Sequence, residues 1–240
     1  TAIVTEPMVG DSITLLAVRT NILKPKDMTI RLEKGQRINL EKESGAKLTR
    51  FMVGCNWGAL KTGRKIEVID KEGFLGFGRK THIEDEEIDL DIDLSCVMVD
   101  ANGKLVDALY SPLYNANIYP NIFSKIIPGL PKGADWSKDK SMFHTPDDTE
   151  GDKGGDDGLD NEIITVNLDM VNNRVNSIVF FLNVYNNSEY QGDFSGVPYA
   201  YIRMFEGTPN RPPKQVFAQY DVSTKTDCIG KRGLIMGKLY

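Results

Sequence analysis

Short apolar runs that alternate with polar residues dominate the chain, and long helical stripes are missing from it. Between Ile88 and Cys96, apolar residues at 88, 90, 92, 94 and 96 alternate with Asp89, Asp91, Asp93 and Ser95. That is the period of a strand with one face in a core. Further runs rich in Val, Ile, Phe and Tyr lie between clusters of Gly, Asn, Asp and Pro. They predict strands over 29–32, 36–40, 49–55, 88–99, 104–106, 163–168, 177–185, 200–205, 215–221 and 234–239. Asp100-Ala-Asn-Gly103 separates two apolar runs and reads as a hairpin turn, since Asn and Gly tolerate positive φ. No segment keeps an apolar period of 3.6 with caps at both ends, so helices should be few and short. About ten strands at this length predict an all-β fold, a two-sheet β-sandwich with long loop insertions.

Three stretches break the rhythm. Residues 1–28 form an N-terminal extension or arm, with an apolar run from Ile13 to Ala17. Residues 61–87 insert a Gly-rich piece, Gly73-Phe-Leu-Gly-Phe-Gly78. Residues 116–143 form a loop carrying Pro120, Pro128 and Pro131. Those prolines keep it out of a central strand, yet Tyr119, Ile122, Phe123, Ile126, Ile127 and Trp136 are too apolar for open water. These six residues are therefore expected to contact a protein partner or a second copy. The plan is an arm over 1–28 and one domain over 29–240 with insertions at 61–87 and 116–143.

Composition adds limits. With 240 residues, 40% hydrophobic and 26% charged, the chain is globular in character and too short for two full domains. No apolar run approaches the roughly 18 residues of a membrane helix. The start of the sequence lacks the basic, apolar and small-residue regions of a secretory signal. Cys55, Cys96 and Cys228 are too few and too scattered for a disulfide framework or a zinc cluster. These features predict a soluble, cytoplasmic protein in a reducing compartment, with no transmembrane segment. Peripheral membrane association stays open.

Charge then changes the picture. Glu84 to Asp93 and Asp147 to Glu162 each carry a net −7, so against a total of −5 the remaining chain stands at +9. Two acidic blocks repel phosphate, which argues against nucleic acid and for a cation. On one strand, Asp89, Asp91 and Asp93 would share a face at about 6.6–6.8 Å spacing. A solvated acidic edge is the plain alternative. Against it, Asp is a poor strand former and like charges on one face repel. The second block supplies further oxygens, and Gly151, Gly154, Gly155 and Gly158 let its backbone turn carbonyls inward. Calcium wants six to eight oxygens and tolerates irregular geometry. The block fits neither an EF-hand nor a calcium-binding nonapeptide repeat, and a disordered acidic loop is its alternative.

Several landmarks then resemble one family in collinear order. They are Leu32-Glu-Lys-Gly-Gln-Arg-Ile-Asn-Leu-Glu-Lys42, Phe51-Met-Val-Gly-Cys-Asn-Trp57, Asp91-Ile-Asp-Leu-Ser95 and the acidic glycine loop ending Asp160-Asn-Glu162. Phe194-Ser-Gly-Val-Pro-Tyr-Ala-Tyr-Ile-Arg203, Tyr220-Asp-Val-Ser223 and Met236-Gly-Lys-Leu-Tyr240 complete the set. From about residue 29 onward the chain resembles the TerD-type tellurium-resistance and stress-protein family. The resemblance implies a calcium-binding β-sandwich whose acidic loop lies beside the Asp-x-Asp strand. Its metal residues map to Asp91, Asp93, Asp147, Asp148, Asp156, Asp157, Asp160 and Glu162. The family usually has Asp after the Trp, whereas Gly58 follows Trp57 here. Its acidic loop is shorter, and its members usually continue past the position of Tyr240 into one more strand. That departure predicts an exposed sheet edge, which residues 1–28 could cover.

Enzyme readings find little support. His82 and His144 both sit in polar sequence surroundings and read as surface residues. No Ser/His/Asp or Cys/His pattern stands out. Phe180-Phe181 and Tyr199/Tyr201 read as core and sheet-face packing. The expected function is non-catalytic, a calcium-binding scaffold in chemical-stress (tellurite) resistance or phage defence, associated with the membrane through a complex if at all. The alternative is a structural assembly subunit, such as part of a phage virion, that uses this sandwich and its contact loops.

Overall fold

A computed structural model of the protein describes residues 29–38, 48–71, 79–110, 135–185, 191–222 and 228–240. The 1–28 arm, the Gly73–Gly78 run and Tyr119, Ile122, Phe123, Ile126 and Ile127 lie outside the described residues. Among the described residues twelve strands run in chain order: β1 (Ile30–Arg31), β2 (Arg50–Trp57), β3 (Leu60–Lys71), β4 (Lys80–Ile88), β5 (Asp91–Val99) and β6 (Leu105–Leu109). They continue as β7 (Met142–His144), β8 (Glu162–Asn167), β9 (Ser177–Tyr185), β10 (Ala200–Glu206), β11 (Gln215–Asp221) and β12 (Gly233–Leu239). Among the described residues helical structure is limited to two single 3-10 turns, Leu168–Met170 and Phe194–Gly196, and a 3-10 residue at Cys228. The protein is all-β, as its pattern predicts.

A six-stranded sheet in the order β1-β11-β10-β2-β8-β7 faces a four-stranded sheet in the order β12-β9-β5-β6. Every pairing in the two sheets is antiparallel except β1 with β11. Alternation decides what meets between them. Val53, Cys55 and Trp57 of β2 and Ile202 and Met204 of β10 point inward, against Ile92, Leu94, Cys96 and Met98 of β5. Ile92, Leu94 and Met98 are 0% exposed, and burial of each side chain is worth about 1.5–3 kcal/mol. The outer face of the large sheet carries the other set. Met52, Ile163, Phe205 and Val216 make a small apolar patch there, and Gly54, Asn56, Tyr201 and Arg203 follow along the same face.

Four local expectations change. The 88–99 strand is interrupted at Asp89 and Leu90, because the Trp57 indole Nε1 donates to the Leu90 carbonyl at 2.7 Å and holds the backbone out of the ladder. The 61–87 insertion is an antiparallel ribbon of β3 and β4, separate from both sheets. The 116–143 loop ends in sheet: Met142 and Phe143 belong to β7, on the edge of the large sheet. His144 is 0% exposed and no surface residue. The hairpin at 100–103 forms with Gly103 at φ 75, and Asp100 Oδ1 accepts from the backbone N–H of Asn102 and Lys104.

Candidate metal centre

The end of β2, the start of β8 and the start of β5 converge at one end of the sandwich, and the acidic loop from 145 to 161 closes over them. Two groups of carboxylates form there. In each, ligand atoms lie within 4.8 Å of one another: Asp93, Asp147 and Glu162 in the first, Asp152, Asp156 and Asp157 in the second. Both are groups that could hold an ion.

The first group is buried in the sandwich. Among the described residues β6 pairs with β5 only from Cys96 onward, and no strand pairs with the β5 backbone on that side at Leu94. Side chains from the opposite sheet meet it there. Leu94 N donates to Glu162 Oε2 at 2.6 Å, and the Leu94 carbonyl faces His144 Nε2 at 2.7 Å. The other ring nitrogen of His144 faces the Thr145 carbonyl at 2.7 Å. Both ring nitrogens thus stand at hydrogen-bond distance from backbone carbonyl oxygens, and Glu162 Oε2 stands 3.8 Å from His144 Nε2. Glu162 is 0% exposed and Asp93 is 5% exposed. Burial and then the neighbouring Asp93 push the Glu162 carboxyl well above its ordinary range. Asp91 behaves alike: burial, then Asp147 and Asp148, raise it to about 7. Its Oδ1 is buried and accepts no hydrogen bond. A buried carboxylate oxygen left in that state costs free energy that a cation would recover.

The second group is more open and hydrogen-bonded. Asn56, 1% exposed, donates through Nδ2 to Asp152 Oδ2 at 3.1 Å, to Asp156 Oδ1 at 3.4 Å and to the Leu159 carbonyl. Tyr199 OH donates to Asp152 Oδ2 at 3.0 Å, and Tyr201 OH to Asp156 Oδ1 at 3.3 Å. Burial and the adjacent acids hold the Tyr199 phenol above its usual range, so it stays a donor. The loop reaches this position because Gly154, Gly155 and Gly158 adopt positive φ and because Asp152 pairs with the end of β2. Asp152 N donates to the Trp57 carbonyl, and Ala59 N to the Asp152 carbonyl, both at 2.9 Å.

The residues predicted for the site divide between these places. Asp93, Asp147 and Glu162 come together, with Asp91 beside them. Asp148 borders the group: its N–H donates to Glu162 Oε1 at 3.4 Å and its own oxygens accept from Glu150 N and the Asn161 amide. Asp156 and Asp157 join the second group. Asp160 faces a cation already in the protein, since Arg203 Nε donates to its Oδ1 at 2.8 Å and Arg203 Nη2 to its Oδ2 at 3.0 Å. Burial nonetheless raises Asp160 to about 6. Arg203 lies opposite Gly54 in the β10–β2 ladder, and Asp160 fills the space that a side chain at Gly54 would need. Asp152, Asn56 and Tyr199 were not among the predicted site residues. The excess of acids in the loop hinted at Asp152; nothing local to Asn56 or Tyr199 pointed to them.

The TerD domain family profile matches residues 28–240. The chain belongs to the TerD domain family. The stress response protein SCP2 of Bacillus subtilis (strain 168) is 28% identical over 217 residues, which cover 89% of this chain and 86% of that protein. Two solved structures also align. One is described as a homologue of telluride resistance protein (TerD) from Streptomyces coelicolor A3(2), at 12% identity and TM-score 0.45 over 80% of each chain. The other is described as a protein of unknown function, at 15% identity and TM-score 0.46, over 80% of this chain and 79% of that one. Among the described residues no helix is long and apolar enough to cross a membrane.

Proposed function

We propose that this TerD-family protein binds calcium at the end of the sandwich and acts as a non-catalytic binding component of a chemical-stress response, of the kind named for its Bacillus relative. The observation that carries the metal reading is the buried meeting of Asp93, Asp147 and Glu162 beside Asp91, whose Oδ1 accepts no hydrogen bond. The donors in both groups are oxygens, which suits a hard cation and not zinc. Many acids on a glycine-rich loop suit calcium better than magnesium, which demands near-octahedral geometry. The ion would screen carboxylates that otherwise repel one another and would fix the acidic loop.

The non-catalytic reading is supported by how the nucleophile and base candidates are engaged. His144 is committed to two carbonyls, and His82 lies on the exposed ribbon between Asp70 and Glu84. Cys55, Cys96 and Cys228 are buried, and burial first of all pushes the Cys55 and Cys96 thiols upward. A protein partner would be met through the insertions. Isothermal calorimetry tests the metal site. Wild type should bind calcium well ahead of magnesium, and the pair Asp91→Asn and Asp93→Asn should remove the tightest phase. Unchanged calcium affinity in that double variant would refute the placement.

A further inference from the structure

The structure pairs a protruding ridge with an open groove on one chain. Of the eight large hydrophobics exposed among the described residues, five lie on these two surfaces: Ile66, Ile69 and Ile83 on the β3–β4 ribbon, Trp136 and Met170 at the groove. A two-stranded ribbon is marginal in water without a surface to pack on. Ile83 is 64% exposed, and Glu84, Asp85, Glu86 and Glu87 follow it directly. Asp85, Glu86 and Glu87 pair with Lys65, Arg64 and Lys61, and Glu84 lies 3.3 Å from His82. Glu84 and Asp85 are the open acids, with side chains 50% and 43% exposed against 24% and 15% for Glu86 and Glu87. Such surface pairs are weak and exchange readily.

The groove has a volume of about 510 Å³, with Trp136, Phe143, Val166 and Met170 as its apolar lining. Its charged lining residues are Arg50 and Lys140, both cationic. Among the described residues, no carboxylate pairs with either. The wall is built, not floppy. Asp139 Oδ1 accepts from Ser137 Oγ at 2.7 Å and Ser141 Oγ at 2.6 Å, and Asp139 Oδ2 from Asn172 N at 2.8 Å. That turn holds Lys140 at φ 60, with its Nζ 5.3 Å from the centre of the Trp136 ring, which packs on Phe143 at 4.9 Å. The one acid of the turn is thus spent internally, and the cations remain for a ligand.

We propose that the β3–β4 ribbon of one copy docks in the Trp136 groove of a second, with Ile83 on the aromatic floor and the acids of β4 against Arg50 and Lys140. The surfaces lie at opposite ends of β2, since Arg50 opens that strand and the ribbon leaves just beyond its end. Each copy therefore offers a ridge at one end and a groove at the other. This is a heterologous contact, which grows into a ring or filament. The proposal is independent of the metal reading.

The test is sedimentation of the full chain across the micromolar range, in low and high salt. Wild type should exceed its monomer mass of 26.8 kDa as concentration rises, and salt should weaken the association at least tenfold. Ile83→Lys and Trp136→Ala should each be monomeric with native circular dichroism. Mixed together they should form a one-to-one dimer that grows no further, because the first variant keeps its groove and the second its ridge. A monomeric wild type, or variants that still assemble, would overturn the proposal. So would a mixture of the two variants that stays monomeric.

Discussion

Arg203 shows how one side chain can hold part of the acidic loop in place. It contacts both oxygens of Asp160 and the Gly158 carbonyl, and its guanidinium lies 5.2 Å from the Tyr201 ring centre. Replacing it by Met leaves Asp160 buried without its countercharge, so Arg203→Met should lower stability by about 3–5 kcal/mol in urea denaturation. A methyl group at Gly54 would stand 2.5 Å from Asp160 Cγ, and Gly54→Ala should cost about 1–3 kcal/mol through the shift it forces. Asp91 responds in the opposite sense. In the metal-free fold its carboxyl keeps a proton up to about pH 7, against an ordinary value of 3.8. Between those limits the folded state binds more protons than the unfolded one, so this group makes metal-free stability fall as pH rises. Asp91→Asn should therefore raise the metal-free melting temperature at pH 7 while weakening calcium binding. A metal-free melting point that drops in this variant would contradict the assignment.

At the scale of elements, strands differ in what protects their hydrogen bonds. β5 pairs with β9 over its whole length and buries Ile92, Leu94, Cys96 and Met98. The β3–β4 ribbon has only its own ladder, broken by irregularities between Lys61 and Lys65 and between Ile69 and Lys71. Amide hydrogen exchange should accordingly be slow in β5, β9 and β2 and orders of magnitude faster in the ribbon of the monomeric form. Equal protection would mean that something covers the ribbon in solution. This difference also explains what the pattern of residues conveyed. Alternation over a buried face marked β5, and runs rich in Val, Ile, Phe and Tyr marked β8, β9 and β10, whereas β3 and β4 mix Lys, Arg, Glu and Asp with isolated isoleucines and show no single face. Met142–His144 is too short to carry a period at all.

For the whole molecule, the two acidic segments meet only because the sandwich closes. A cation that binds the folded state alone adds about 2.7 kcal/mol when free ligand is 100 times the dissociation constant. In a domain of this size that is roughly 5–10 °C of melting temperature. Millimolar calcium should give such a rise over chelator at neutral pH. The rise should shrink toward pH 4, because protons then compete for the same carboxylates. Identical melting curves at neutral pH would reduce both segments to solvated charge.

The sequence by itself determined the all-β class, most of the strands and the family, since alternation and turn residues act locally and the landmarks keep their order. It also named Asp93, Asp147 and Glu162 as candidate ligands, three residues that the fold brings together. Only the tertiary structure decided that Asp160 meets Arg203, that Asn56 and Tyr199 serve the second carboxylate group and that His144 lies inside. Each of those outcomes depends on register: Arg203 faces Gly54 and Tyr201 faces Asn56 across β10 and β2. His144, in turn, meets the β5 backbone at Leu94, beyond the last β5–β6 pair. Strand register joins residues more than a hundred positions apart, and no local pattern of polarity encodes it.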